Sequence, residues 1–173
     1  TKSLAKKTVI DNMLLGAAEQ KGESLRNALL PSRWQKQEKE ILEKAEDLLE
    51  RFKLSHMRDE YAATISGGQR KLLEMARALM SEPKLILLDE PMAGVNPVLV
   101  ESLLVHIENL RDEGVSVLFI EHDMDAIMGI SDWIVVLAEG QVIAEGTPSD
   151  VSKNPAVIDA YLGSAIAEEL KDV

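Results

Sequence analysis

Three short groups of residues have the types and order to handle a phosphate and an attacking water. They are Ser66-Gly67-Gly68-Gln69, the pair Asp89-Glu90, and His122 between Glu121 and Asp123. The first group sits where a helical pattern begins. A serine there can cap the helix, two glycines leave backbone N–H groups unshielded, and the helix dipole adds partial positive charge, so an anion is favoured. Taken alone, the tetrapeptide reads equally as an ordinary N-cap followed by a flexible glycine pair.

Asp89 and Glu90 close the apolar run Leu85-Ile86-Leu87-Leu88. A parallel sheet presents its functional groups at the carboxyl ends of its strands. An aspartate there can serve Mg²⁺ through the ion's water shell, and the adjacent glutamate can accept a proton from water, a role worth roughly 10²–10⁴ in rate. An isolated acidic pair at a strand end also reads as simply solvated. His122 follows a second apolar run, Val115 to Ile120. On a neighbouring parallel strand it would reach the same sheet edge and could hydrogen-bond a γ-phosphate. Its plain alternative is a histidine beginning the helix after Asp123. Met92 to Pro97 forms a tight loop before a helix. Arg70, Lys71, Arg77 and Lys84 read as solvated charges outside the site, and His56 and His106 receive no role.

These groups need elements to position them. Ile41, Leu42, Ala45, Leu48, Leu49 and Phe52 recur at helical spacing opposite a charged face. Leu72, Leu73, Ala76, Leu79 and Met80 trace a second stripe, which Pro83 prevents from continuing. Lys84 to Leu88 and Val115 to Ile120 read as strands covered on both faces. Between them Leu99, Val100, Leu103, Leu104, Ile107 and Leu110 form a helix that Glu113-Gly114 ends, making a βαβ unit with a right-handed crossover. Trp133 to Leu137 and Gln141 to Glu145 flank Glu139-Gly140 as a hairpin, and Thr147-Pro148-Ser149-Asp150 opens a helical extension. Gly16 to Trp34 reads as a loop with a short helix. The expected division is a helical part over residues 1–81, an α/β part over 82–147 and a helical appendage over 148–173.

The bulk numbers narrow the function. The 173 residues suit one ordinary domain. Nineteen basic and thirty acidic residues give a net charge of −11, which repels phosphate backbones and argues against broad nucleic-acid binding. Without cysteine there is no disulfide and no thiolate metal site. No apolar stretch approaches the roughly 20 residues that span a bilayer. The chain begins at Thr1, and none of its ten glycines is followed by Lys-Ser or Lys-Thr, so it holds no GxxxxGK[ST] phosphate loop. It reads as a truncated piece.

Together, Ile65 to Gln69, Leu85 to Glu90, the Met92 to Pro97 loop and Glu121-His122-Asp123 closely resemble the ATP-binding cassette of ABC transporters. The resemblance covers nearly the whole chain and matches such a cassette after its phosphate loop and glutamine-containing loop. It implies an α/β fold: a P-loop NTPase-like fragment with a helical signature subdomain and a partial parallel sheet flanked by helices. In that family the signature acts in trans. Ser66, Gly67, Gly68 and Gln69 would contact ATP held by a second cassette, Asp89 would serve Mg²⁺, Glu90 would be the catalytic base, and His122 the switch histidine. The loop after Glu90 often carries an aspartate where this chain has Asn96, and Ile65 replaces the usual leucine.

Within the family, Glu121 to Met124, the Met92 to Pro97 loop and the tail Asn154 to Gly163 look most like ATPase subunits of bacterial branched-chain amino-acid importers. The resemblance implies a transport-coupled ATPase paired with a second ABC ATPase subunit, in a homo- or heterodimer. It would dock on transmembrane permease subunits at the cytoplasmic face of the plasma membrane, serving a solute-binding protein indirectly. Urea or amide importers and the lipopolysaccharide-export ATPase share similar tails. A non-catalytic module that lends only its signature half is another reading, and a DNA- or ribosome-acting ABC protein fits the acidic charge poorly. The 173 residues alone are expected to bind ATP weakly, to hydrolyse it negligibly, and to associate through an exposed sheet edge.

Overall fold

The computed structural model describes residues 4–18 and 34–160. Most of the expected loop from Gly16 to Trp34, and the tail from residue 161, lie outside the described residues. The chain falls into two compact units, Thr1–Ile120 and Glu121–Val173.

The first unit opens with a 3₁₀ turn, Leu4–Lys6, and α1, Val9–Leu14, where the Thr8 hydroxyl accepts the Asp11 N–H. Helix α2, Gln35–Arg51, follows the expected stripe and seats Ala45 and Leu49 in the core. Helix α3, Gly67–Leu79, buries Leu72, Leu73, Ala76 and Leu79 as its periodicity requires. These three helices pack on one another around Val9, Met13, Leu49, Phe52 and Leu72. Two polar side chains, Asn12 and Lys44, help to fix the cluster. The buried Asn12 amide donates to the Leu4 and Thr8 carbonyls. Lys44 donates to the Met80 carbonyl and to Glu82, placing a cation at the C-terminal end of α3, where the helix dipole favours it.

The βαβ unit is present. Strand β1, Leu85–Asp89, leads through α4, Pro97–Asp112, to β2, Ser116–Ile120. The strands run parallel, from Leu85 opposite Ser116 to Asp89 opposite Ile120. Asn96 caps α4 by accepting the Leu99 N–H at 3.0 Å. Gly114, at φ +86°, ends the connection in the left-handed region that glycine enters without strain. The expectation of strands covered on both faces needs correction among the described residues. Ile86 is only 4% exposed, whereas Leu85 and Leu87 are 55% and 67% exposed, and Leu118 and Ile120 are 57% and 62%. One face packs on the helices of its own unit, and no described element of that unit lies over the other. The apolar runs are continuous because each strand is built for two covered faces.

The second unit is built on α5, Met124–Ile130, capped by Asp123, and on the expected hairpin of β3, Ile134–Ala138, and antiparallel β4, Gln141–Gly146. Glu139 and Gly140 turn it, both at positive φ, as a tight two-residue hairpin loop requires. The short α6, Pro148–Val151, closes the unit over Ile134, Val151 and Val157.

One buried group was not anticipated. His106, on α4, is 6% exposed and stacks on Phe52 with ring centroids 4.2 Å apart. Neither ring nitrogen finds a hydrogen-bond partner among the described residues. Burial first, and then the nearby charges of Arg51 and Lys53, hold its pKa below the usual histidine value. The unfolded chain therefore binds a proton at a pH where the folded chain does not. The stabilisation from a neutral His106 is complete above about pH 6.5 and is lost as pH falls through the window just below it. The urea midpoint is expected to drop between about pH 7 and about pH 5.5, and His106→Phe should flatten that drop. Equal slopes for both proteins would assign the pH dependence to other groups.

Candidate functional site

The four-residue signature occupies the start of α3. Ser66 takes the N-cap with its hydroxyl accepting the Gln69 N–H at 3.3 Å, and the Gln69 side chain accepts the Ser66 N–H at 2.9 Å. This reciprocal capping box satisfies two otherwise unpaired donors. Arg70 reinforces it by donating to the Ile65 carbonyl at 2.8 Å. Buried Ile65 just before the cap and the stripe beginning at Leu72 set the orientation of the helix.

The two glycines are not equivalent. Gly67 is exposed, and a Cβ built on it would meet nothing closer than the Arg70 guanidinium at 3.8 Å. Gly68 is buried. A Cβ there would stand 2.6 Å from Leu99 Cδ1 and 3.2 Å from Val95 Cγ1. Only the first glycine thus offers the open backbone expected of both, while the second lets α3 lie close against the loop that follows Glu90.

Asp89 ends β1 with its side chain exposed, opposite Ile120. Glu90 continues the pairing by one bond, its N–H donating to the Ile120 carbonyl at 2.9 Å. Its φ of +45° is left-handed, a conformation a non-glycine residue holds only against strain. Buried Pro91 and Met92 pin the chain, Ala93 N–H returns to the Glu90 carbonyl at 3.2 Å, and Gly94 takes a φ of +70° before the Asn96 cap. Aspartate and asparagine cap comparably well, so Asn96 performs the capping a charged residue would.

Lys71, expected as a solvated charge outside the site, is half-exposed and also reaches the turn after β1. Its Nζ donates to the Glu90 carbonyl at 3.1 Å. Lys71 lies three residues beyond Gly68 and so on the same helix face, but that face is identified only by the packing of Gly68. Between α3 and β1 a shallow cleft of about 180 Å³ is lined by Lys71, Glu74, Met75, Ile86, Asp89 and Leu103.

No group of three or more His, Cys, Asp or Glu side chains capable of holding a metal occurs among the described residues. The donor set at Asp89 suits Mg²⁺ that keeps most of its waters and takes its remaining ligands from phosphate, rather than an all-protein cage. Within the first unit the helix that starts at Ser66 is linked to the turn after Asp89 by Lys71 on the Glu90 carbonyl and by Gly68 against Val95 and Leu99. His122 belongs to the second unit, two residues past the end of β2. It is 79% exposed, and its Nδ1 stands 3.8 Å from a carboxylate oxygen of Glu121, whose side chain is 2% exposed. Asp123 caps α5, with its carboxylate accepting the Ala126 N–H at 3.1 Å.

A parallel strand ending in Asp-Glu, followed by a helix-capping loop that packs on a serine-capped diglycine helix, has the α/β architecture of an ATP-binding cassette. The chain belongs to the ABC transporter family, whose profile matches residues 3–93. A second profile, described as branched-chain amino acid ATP-binding cassette transporter, matches residues 141–167. The chain is similar to the probable branched-chain amino acid transport ATP-binding protein LivG of Archaeoglobus fulgidus, with 47% identity over 95% of this chain and 63% of that protein. It is 40% identical to the high-affinity LivG of Escherichia coli over 91% of this chain and 63% of that protein. A solved ATP-binding cassette of an ABC transporter in its ADP conformation aligns with a TM-score of 0.75 and 41% identity, over 94% of this chain and 65% of that one. The chain therefore spans about 63% of the length of these curated relatives.

The glycine asymmetry predicts different outcomes for one added methyl. Gly68→Ala must displace Leu99 and Val95 and is expected to cost about 1–2 kcal/mol in denaturant unfolding. Gly67→Ala has room and should stay within about 0.5 kcal/mol of the parent. Equal losses at both positions would contradict the packing described.

Proposed function

We propose that this chain is the signature-bearing part of the ATP-hydrolysing subunit of a branched-chain amino-acid importer. The observation that carries the reading is Glu90, with its carboxylate exposed beside Asp89 at the carboxyl end of β1 and its backbone held by Ile120, Ala93 and Lys71. Similarity to the LivG proteins and the second profile over residues 141–167 support the transported class.

In this reading ATP is the substrate. Ser66 and Gly67 offer hydroxyl and open backbone to the phosphates of a nucleotide held by a second cassette, Gln69 braces Ser66, and Gly68 sets the depth of the helix. Glu90 accepts a proton from the attacking water and orients it for in-line displacement. Asp89 is the residue that would hold Mg²⁺, through water; bound there, the ion neutralises charge on the phosphates. His122 is assigned to hydrogen-bond the γ-phosphate. The partners are a second ATPase subunit and membrane-spanning permease subunits, with the protein peripheral on the cytoplasmic face. No described helix is long and apolar enough to cross a membrane.

The test is steady-state ATP hydrolysis by the full-length polypeptide carrying these residues. Glu90→Gln should lower kcat by at least about 100-fold while nucleotide binding persists. The 173 residues alone should show negligible turnover, because they contain no glycine-rich loop with its lysine to cradle the phosphates. Retained activity in Glu90→Gln would remove Glu90 from the role of base.

A further inference from the structure

We infer that Lys71 is a positioning residue for Glu90, joining the signature helix to the backbone of the candidate base; the inference rests on the function proposed above. Glu90 occupies a backbone state that its neighbours must enforce. Its φ is +45°, and it precedes Pro91, where a residue is ordinarily extended. Three hydrogen bonds hold it. Its N–H is tied to the Ile120 carbonyl, and its carbonyl accepts from Ala93 N–H and from Lys71 Nζ.

The first two bonds are backbone to backbone and belong to the strand end and the turn. The third is made by a side chain, and that side chain comes from α3. Relaxation of Glu90 out of its left-handed φ would swing its Cα–Cβ bond, and with it the carboxylate, together with its own carbonyl. An ammonium on the carbonyl oxygen opposes that relaxation, because charge-assisted hydrogen bonds are stronger than neutral ones.

A second contact runs between the same two elements. Gly68 is packed against Val95 and Leu99, which lie in the loop after Glu90 and in the first turn of α4. Gly68 and Lys71 are three residues apart on one face of α3, so the helix grips the catalytic turn at two points. Lys71 acts through the direction it gives Glu90.

The experiment compares Lys71→Met, Lys71→Arg and Glu90→Gln in the full-length polypeptide. Lys71→Met should lower kcat by roughly tenfold or more with KM for ATP within about twofold, because displacing a reacting group costs rate without costing ground-state binding. Lys71→Arg, which still donates, should recover most of that loss. In ¹⁵N-labelled protein, Lys71→Met should also speed hydrogen exchange at the Glu90 and Ala93 amides by about tenfold.

An unchanged kcat in Lys71→Met beside an inactive Glu90→Gln overturns the inference and leaves the proposed function standing. A lowered melting temperature with kcat and KM intact overturns it too, since it marks a structural contact only. Absence of ATP turnover in the parent overturns the proposed function instead. In that case the amide exchange decides whether Lys71 holds the turn, and unchanged exchange rejects it.

Discussion

The chain has to leave a parallel strand and reverse over the sheet edge at once, and Glu90 absorbs that reversal in a left-handed backbone. The residue that makes the turn is also the one proposed as the base. A strand that ran on would carry the acid away, and a glycine would make the turn without the acid. The surrounding contacts follow from this demand. Ile120 accepts the Glu90 N–H because β2 ends in register with β1. Pro91 and Met92 are buried to anchor the exit, and Asn96 caps α4 so that the next helix starts at a fixed point.

The helical part of the first unit answers the same demand from the other side. Helix α3 starts with a reciprocal cap, so the direction of Ser66 and the position of the first turn are set by hydrogen bonds within four residues. Its end is set by Lys44, which reaches across from α2 to the Met80 carbonyl. Between these limits a buried stripe fixes rotation about the axis. The Ser66 to Gln69 segment therefore sits on a helix defined at both ends and on one face, which is the rigid placement that the proposed contact with a ligand would call for.

Much of this was legible from residue order alone. The βαβ unit, the hairpin at Glu139-Gly140 and the helix beginning at Ser66 all carry local signals, namely apolar runs of strand length, a turn dipeptide and a capping residue. What sequence did not disclose depends on the third dimension. The two glycines look identical in a string, and only the approach of Val95 and Leu99 separates an open position from a packed one. Lys71 resembles any helix-surface cation until the Glu90 carbonyl is seen within its reach. His106 occupies one position in an otherwise aliphatic stripe, and its stack on Phe52 joins residues too far apart in sequence for a periodicity argument. Strand composition reports how many faces β1 and β2 are made to cover, not which of the described elements lie over them, so the exposure of Leu85, Leu87, Leu118 and Ile120 could not be read from it.

That ring pair sets a mechanical property of the junction between α2 and α4. Its planes lie within 22° of parallel, and flat aromatic surfaces attract through dispersion, which has little preference for direction within the plane. Among the described residues neither imidazole nitrogen finds a hydrogen-bond partner. The junction therefore rests on the burial and close packing of two flat rings, with the Arg51–Glu113 ion pair beside it as the directional contact.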